Sequence, residues 1–359
     1  MKRILTLVLL IAGCSLGLQA FSKAPKYSSY LFVFFSNNSP EGEQIRYAIS
    51  DDGFNYRSLN DGKPVVLSDT IALKKSIRDP HILRGQDGKT FYMVMTDMRS
   101  DEGWQSNDGM ILMKSTDLIH WQHTAIDFPT RFPNIPGLDR QNLHAVWAPQ
   151  TIWDPFQKKY LIYYSIGRHD WEYPTNDKNR DGSTFMQPYF RLFYSYANED
   201  FTDITEPQLL FDFGKASIDG DMVWDQQTGQ FVLFFKDEGR SVMNGNWRTR
   251  QGVMRATSKL PTGPWTVEWA HLQKPGQFPV EGSSVFPLIK PDKETGKRKW
   301  ILMYDCYVNG HYQFCESTDL QHFQHVCDTP TKGNFTPRHG SVIPITKKER
   351  QRLEKQFGY

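Results

Sequence analysis

The 359-residue sequence has little cysteine: four residues, Cys14, Cys306, Cys315 and Cys327. That count excludes a fold stapled by disulfides. Charge of either sign is not in excess. Lys plus Arg number 42 and Asp plus Glu 40, a formal net charge of +2. This balance gives no support to nucleic-acid binding through a basic surface or to a polybasic membrane patch. After the first 20 residues no apolar run approaches the ~20 residues that a spanning helix needs. No Cys/His cluster has zinc spacing, and no glycine-rich phosphate loop joins a strand to a helix. Asp177-Lys178-Asn179-Arg180-Asp181-Gly182 opens like a calcium loop. Its twelfth position is Pro188, where a bidentate Glu is needed, so it reads as a solvated turn and no metal ligands are assigned.

Flat rings are abundant: 10 Trp, 16 Tyr and 24 Phe. Some belong to a core, and others suit sugar platforms, because ring faces pack on the C–H faces of sugars. The N-terminus has the pattern of an export signal, with basic Lys2 and Arg3 followed by the apolar stretch Ile4 to Leu18. Two processing sites compete. Leu18-Gln19-Ala20 suits soluble export after residue 20, to periplasm or medium. Ile11-Ala12-Gly13-Cys14 resembles a bacterial lipobox, with Cys14 as the candidate lipid anchor of an outer-membrane lipoprotein.

One strand type occurs five times: Tyr30–Ser36, Phe91–Thr96, Tyr160–Ser165, Phe231–Lys236 and Trp300–Asp305. Each is aromatic and aliphatic, as a strand buried on both faces should be. A turn of the form A/S-x-D-x-x-W/F follows each, from Ser50, Ser115, Ala197, Ala256 and Ser317, at spacings of 65, 82, 59 and 61. Four strands plus loops fit that length, which is a β-propeller blade. A third repeat precedes the central strand at Arg78–Arg84, Trp147–Trp153, Ile218–Trp224 and Glu281–Ile289. The strand at Tyr30 has no such partner upstream. The missing copy is Arg338–Ile345, near the other end. The expected fold is all-β: a five-bladed propeller over 21–359, forming one domain, its ring closed by a C-terminal strand joining the N-terminal blade. A β-sandwich would not produce repeats in phase. Thr346 to Phe357 is the best helix, with Thr346 and Glu349 at capping-box spacing. Asn309-Gly310 signals a two-residue hairpin, with Val308 opposite His311 and Cys306 opposite Gln313.

Innermost strands of a propeller gather their starting ends at one mouth. There the sequence puts Asp79, Trp147, Asp219 (with Asp221), Glu281 and His339. Blade packing needs no acids in that place. Carboxylates in an aromatic pit suit glycosidic bond cleavage, where one acid protonates the departing oxygen and one carboxylate activates water or attacks carbon. A third holds the acid's pKa up by like-charge repulsion. Two long irregular stretches, Gly167 to Pro188 and Thr130 to His144, are expected to shape the mouth. His169, Trp171 and Tyr173 of the first are expected to narrow it.

Arg78-Asp79-Pro80-His81-Ile82, Trp147-Ala148-Pro149, Ile218-Asp219-Gly220-Asp221, Val280-Glu281-Gly282 and His339-Gly340-Ser341-Val342 resemble, in order, the blade-start motifs of glycoside hydrolase family 43. The resemblance implies a five-bladed propeller that hydrolyses arabinofuranosides, xylosides or galactosyl linkages with inversion. It implies Asp79 as general base, Asp219 as pKa modulator and Glu281 as general acid, with Asp221 the rival of Asp219. Trp147, Gln150, Arg338 and His339 are the expected substrate-binding residues. No cofactor is required; an ion in the channel near His339 is the one candidate. The partner is an oligo- or polysaccharide. The leading expectation is an α-L-arabinofuranosidase, followed by a β-galactofuranosidase or β-xylosidase, then a sugar-binding propeller without turnover. Nearly 60 residues precede Asp79 in the processed chain, where the family motif often lies close to the N-terminus. That departure marks a distinct subgroup and weakens any transfer of substrate identity.

Overall fold

The computed structural model describes residues 25–178, 181–239, 251–330 and 335–358. The export signal and Cys14 lie outside them. Five four-stranded antiparallel sheets form five blades. From the axis outward, blade one is Gly340–Thr346, Tyr27–Phe34, Arg46–Ser50 and Tyr56–Ser58. Blade two is Ile77–Arg84, Phe91–Asp97, Gly109–Ser115 and Gln122–Asp127. Blade three is Leu143–Asp154, Lys159–Arg168, Arg191–Tyr196 and Gln208–Phe211. Blade four is Ser217–Asp225, Gln230–Asp237, Val253–Ser258 and Thr266–Glu268. Blade five is Glu281–Pro287, Trp300–Cys306, His311–Ser317 and Gln324–Pro330. A separate hairpin, Tyr173–Lys178 with Thr184–Gln187, occupies part of the long insertion.

The repeated aromatic strands are the second strand of each blade. Phe91–Asp97 and Trp300–Cys306 are buried at every position, because both faces of a blade are covered by its neighbours. The apolar side chains accordingly form one large cluster at each of the five blade junctions. The repeated Ser/Asp turns join third strands to fourth. In three of them an Asp side chain (Asp52, Asp117, Asp319) accepts two backbone N–H bonds, and a Ser hydroxyl accepts another.

The blades are also stitched at the axis. Ile82 N–H donates to Ser341 Oγ (2.8 Å), Thr151 N–H to His81 Nδ1 (3.2 Å) and Val285 N–H to Asp221 Oδ2. Between blades three and four Met222 N–H donates to the Tyr163 hydroxyl, which donates to Gln150 Oε1 (3.2 Å). The first three bonds run from one innermost strand to the next, the fourth ends on the second strand of blade three, and each satisfies a backbone donor that the bulged ladder leaves free.

Closure follows the missing-copy pattern: Gly340–Thr346 pairs antiparallel with Tyr27–Phe34, with Phe34 opposite Gly340. The helix Lys347–Phe357 then caps blade one, with the Thr346/Glu349 capping box formed. Its Leu353 is fully buried in the cluster between blades one and two. The expected two-residue hairpin at Asn309-Gly310 is instead a four-residue loop. Cys306 pairs with His311 and Asp305 with Tyr312, and the Cys306 carbonyl accepts both the Asn309 and Gly310 N–H groups. Cys306, Cys315 and Cys327 are all free thiols, so no disulfide ties this region. No helix among the described residues is long and apolar enough to cross a membrane.

Removing most of the Leu353 side chain empties a sealed volume under the closing strand. Leu353→Ala should lower unfolding free energy by about 2–5 kcal/mol, and Thr346→Ala, which removes the cap, by only about 1 kcal/mol. Urea melts check both. Equal losses would mean that the helix is held by its cap and not by packing.

Candidate active site

The innermost strands of blades two to five share one local device. Each takes one extra residue relative to its partner, between Arg78 and His81, Trp147 and Gln150, Ile218 and Asp221, and Glu281 and Ser284. The second residue of each bulge is left-handed: Asp79 (φ 52°), Ala148 (46°), Asp219 (53°) and Gly282 (59°). Bulges of this kind re-aim a side chain, and a left-handed non-glycine residue carries about 1–3 kcal/mol of strain that the surroundings must hold. Asp79 and Asp219 are therefore equivalent, whereas Glu281 occupies the position before, equivalent to Trp147. Gly282 is needed where it stands: a Cβ there would meet the His339 ring at 2.6 Å.

These residues surround a cleft of about 700 Å³ lined also by Arg338, Lys236, Glu238, Tyr307, Trp104, His144, Glu172 and Phe190. His339, almost fully buried, lies between two carboxylates, its Nδ1 3.3 Å from Asp79 Oδ1 and 3.9 Å from Asp219 Oδ1. Those charges outweigh burial and raise it to about 9, so it carries a proton at neutral pH. Asp79 also accepts from the Thr96 hydroxyl (2.9 Å). Burial works against its charge, but His339, Arg78 and Thr96 more than compensate, and its pKa is lowered. Asp219 accepts from Gly282 N–H (3.0 Å). Its pKa is raised, first by burial and then by Glu281 and Asp79, against the opposing charge of His339.

Glu281 sits between two cations. Lys236 Nζ is 3.1 Å from Oε2 and Arg338 Nη2 2.9 Å from Oε1. Each cation has a second anion: Glu238 at 2.8 Å from Lys236 and Asp305 at 2.5 Å from Arg338. Burial raises the Glu281 pKa, but Lys236 and Arg338 overcome it and pull the group down to about 2. With both cations in contact, the raising effect expected of Asp219 on the Glu281 pKa is outweighed. Two adjacent cations outweigh one carboxylate, so Glu281 is ionised.

Trp147 faces the cleft with its ring stacked on Phe190 (4.5 Å, 16° between planes). Arg338 lies in the cleft, bound to the two carboxylates named above. Gln150 does not line it. The side chain is buried in the channel wall, where it receives the Tyr163 hydroxyl, because the extra residue of the bulge turns that position toward the axis. Asp221 lies on the same wall, accepting from Val285, and burial raises it to about 7. Trp171 and Tyr173 do not narrow the mouth as expected. Arg168 and Arg191 both pack on the Trp171 ring, which also stacks on Phe193, while Tyr173 meets Tyr189 edge-on. From the same insertion, Glu172, Phe185 and Met186 reach the cleft. Among the described residues the one group of three or more donors close enough to hold an ion is His144, His169 and Glu172. The ion expected near His339 would share its place with an imidazolium.

Sequence reasoning passed over Lys236, Glu238 and Asp305. A signal for two of them was present. The repeated central strands end in polar residues, Thr96, Lys236 and Asp305 among them, at the close of otherwise apolar runs. All three are buried, and each reaches a mouth residue: Thr96 to Asp79, Lys236 to Glu281, Asp305 to Arg338.

An all-β propeller with carboxylates from three blades around one cleft is the architecture of a glycoside-cleaving enzyme class. A family model described as a probable glycosyl hydrolase domain, related to glycoside hydrolase family 43, matches residues 25–351, and the chain belongs to that family. A curated relative, an α-L-arabinofuranosidase of Bifidobacterium longum subsp. longum, is 27% identical over 337 residues. The match spans 89% of this chain but 30% of that protein. The fold is similar to a family 43 protein of Bacillus licheniformis (TM-score 0.50, 14% identity, 90% of this chain and 57% of that one). It is also similar to an endo-1,4-β-xylanase of Bacteroides thetaiotaomicron (TM-score 0.52, 13% identity, 89% and 97%).

Lys236→Met removes one of the two counter-charges of Glu281, the one that lowers its pKa most, so the Glu281 pKa should rise from its depressed value. A carboxyl lowered in the folded state contributes stability above its ordinary range and loses it as pH falls toward 2. The variant should therefore also lose less stability on acidification. Carbon NMR titration of the Glu281 carboxyl measures the shift; an unmoved titration would leave Arg338 as the sole cause.

Proposed function

We propose that the protein hydrolyses terminal α-L-arabinofuranosyl linkages of plant-type polysaccharides with inversion of the anomeric centre. The observation that carries this reading is the set of three carboxylates from three blades around one cleft, Asp219 buried and Asp79 and Glu281 partly exposed to it, with their protons unequally held. The name of the Bifidobacterium relative supports the sugar.

Asp79 has the properties of a base. It is ionised, fixed by Thr96 and His339, and can take a proton from a water attacking the anomeric carbon. Glu281 donates to the departing oxygen. It acquires that proton as the substrate enters. A glycosidic oxygen at Glu281 displaces Lys236 and Arg338, which retain Glu238 and Asp305 as counter-charges. Once the cations withdraw, burial and Asp219 raise the Glu281 pKa. His339 holds Asp79 and Asp219 apart and limits their mutual repulsion. The stacked pair Trp147 and Phe190 offers an apolar face to the sugar ring. Export of the chain, soluble or anchored through Cys14, rests on the segment Met1 to Ala20.

The test uses two variants and two substrates. Glu281→Gln should slow natural glycosides by about 10²–10⁴-fold and a dinitrophenyl arabinofuranoside much less, since dinitrophenolate barely needs a proton. Asp79→Asn should harm both comparably, because each needs an activated water. Proton NMR of the first product should show the anomer opposite to the substrate's. A retained anomer, or equal damage by Glu281→Gln on both substrates, overturns the assignment. Activity confined to xylosides or galactofuranosides would replace the sugar and leave the mechanism.

Export predicts processing. Expressed in a bacterial host with its own N-terminus, the chain should be recovered outside the cytoplasm starting at Phe21, or at a lipidated Cys14. An intact mass beginning at Met1 in the cytoplasm would contradict it.

A further inference from the structure

We propose that His144, His169 and Glu172 form a binding site for a transition-type divalent cation, of which Zn²⁺ is the representative, on the blade-three wall of the cleft. The proposal does not depend on what the three catalytic candidates do.

Local structure brings the donors together. His144 is the extra residue at the start of Leu143–Asp154, where the register shifts between Leu143 and Ala145. A bulge turns that side chain off the alternation of the strand. His169 opens the short turn His169–Trp171 directly after the paired strand, and its N–H donates to the Asn142 carbonyl (2.9 Å). That bond ties the two strand ends beside each other. Glu172 follows three residues later; positions three apart in a 3₁₀ turn share a face. The turn is braced from outside by Trp171, against which two arginines and Phe193 pack.

The donor atoms converge. Glu172 Oε1 is 3.9 Å from His144 Nδ1 and 3.8 Å from His169 Nδ1, and all three lie within 4.8 Å of one another. Around a tetrahedral Zn²⁺ with bonds near 2.0–2.2 Å, ligand atoms sit about 3.3–3.5 Å apart. The two carboxylate distances must close by about half an ångström, and the imidazole pair by up to about 1.5 Å, for one ion to take all three donors.

A second observation points to a ligand. His144 is 4% exposed, and its Nδ1 is a buried polar atom with no hydrogen-bond partner. Such atoms are rare because desolvation is not repaid. This one is aimed at an imidazole nitrogen and a carboxylate oxygen, where a cation satisfies all three at once. Two imidazoles and one carboxylate favour Zn²⁺ and its transition-metal neighbours over Ca²⁺ or Mg²⁺, which take oxygen ligands. Three protein ligands leave one position open. His144 and Glu172 both line the cleft, so that position would face the sugar space and take a water or a sugar hydroxyl.

The experiment reads metal binding, not turnover. Chelator-stripped protein is titrated with Zn²⁺ against a chromogenic chelator, and with Co²⁺ for the intense visible bands of a four-coordinate ion. The expected result is one tight equivalent whose affinity falls at least tenfold in His169→Ala and in Glu172→Gln. His169 is half-exposed, so its replacement leaves the core undisturbed. Thermal melts with and without Zn²⁺ should show a rise in Tm that both variants lose. Absence of a tight equivalent, or one that both variants retain unchanged, overturns the site.

Discussion

The pairing of Gly340–Thr346 with Tyr27–Phe34 is the contact on which the rest of the molecule depends. Without it the ring has two open sheet edges, the apolar clusters on either side of blade one lose a wall, and five blades become a row. The same pairing brings Arg338 and His339 to the mouth. Arg338 N–H donates to the Phe35 carbonyl at the end of the paired strand, so the segment is anchored where the strand ends. Closure of the fold and completion of the cleft are one event.

The cleft itself is governed by charge alternation. Glu238, Lys236, Glu281, Arg338 and Asp305 form one chain of opposite charges, drawn from blades four and five and the closing segment. Asp79, His339 and Asp219 form a second. Buried ions are costly unless paired, and here the four inner members, Lys236, Glu281, Arg338 and His339, have two partners each. The arrangement stabilises little beyond its own desolvation cost, but it fixes which carboxylates are ionised before a sugar enters. Each group between two neighbours can also lose one without being left bare.

The architecture was legible because its signal is repetitive and physical. A strand covered on both faces must be apolar at nearly every position, and five such strands at blade-length spacing leave few alternatives. The Ser/Asp turns were legible for a similar reason, since their side chains close their own loops. The Asn309-Gly310 register was not. The same dipeptide closes two-residue and four-residue loops, and only the Cys306 carbonyl, accepting two N–H groups, selects the longer one. Gln150 was misjudged because one extra residue in a bulge reverses the face of every position after it. Trp171 was expected in the pit because a sequence cannot show that two arginines and Phe193 already pack against its ring.

By itself the sequence determined the blade count, the strand that closes the ring, the C-terminal helix with its cap, and the three carboxylates that meet at the mouth. All of these follow from periodicity, burial and local hydrogen bonding, which act over a few residues or repeat along the chain. Tertiary structure alone decided the protonation of those carboxylates. The Glu281 charge depends on Lys236 and Arg338, 45 and 57 residues away, and that of Asp79 on His339 near the far end of the chain. Electrostatic energy depends on distance in space and on burial, and neither is defined until the blades have packed.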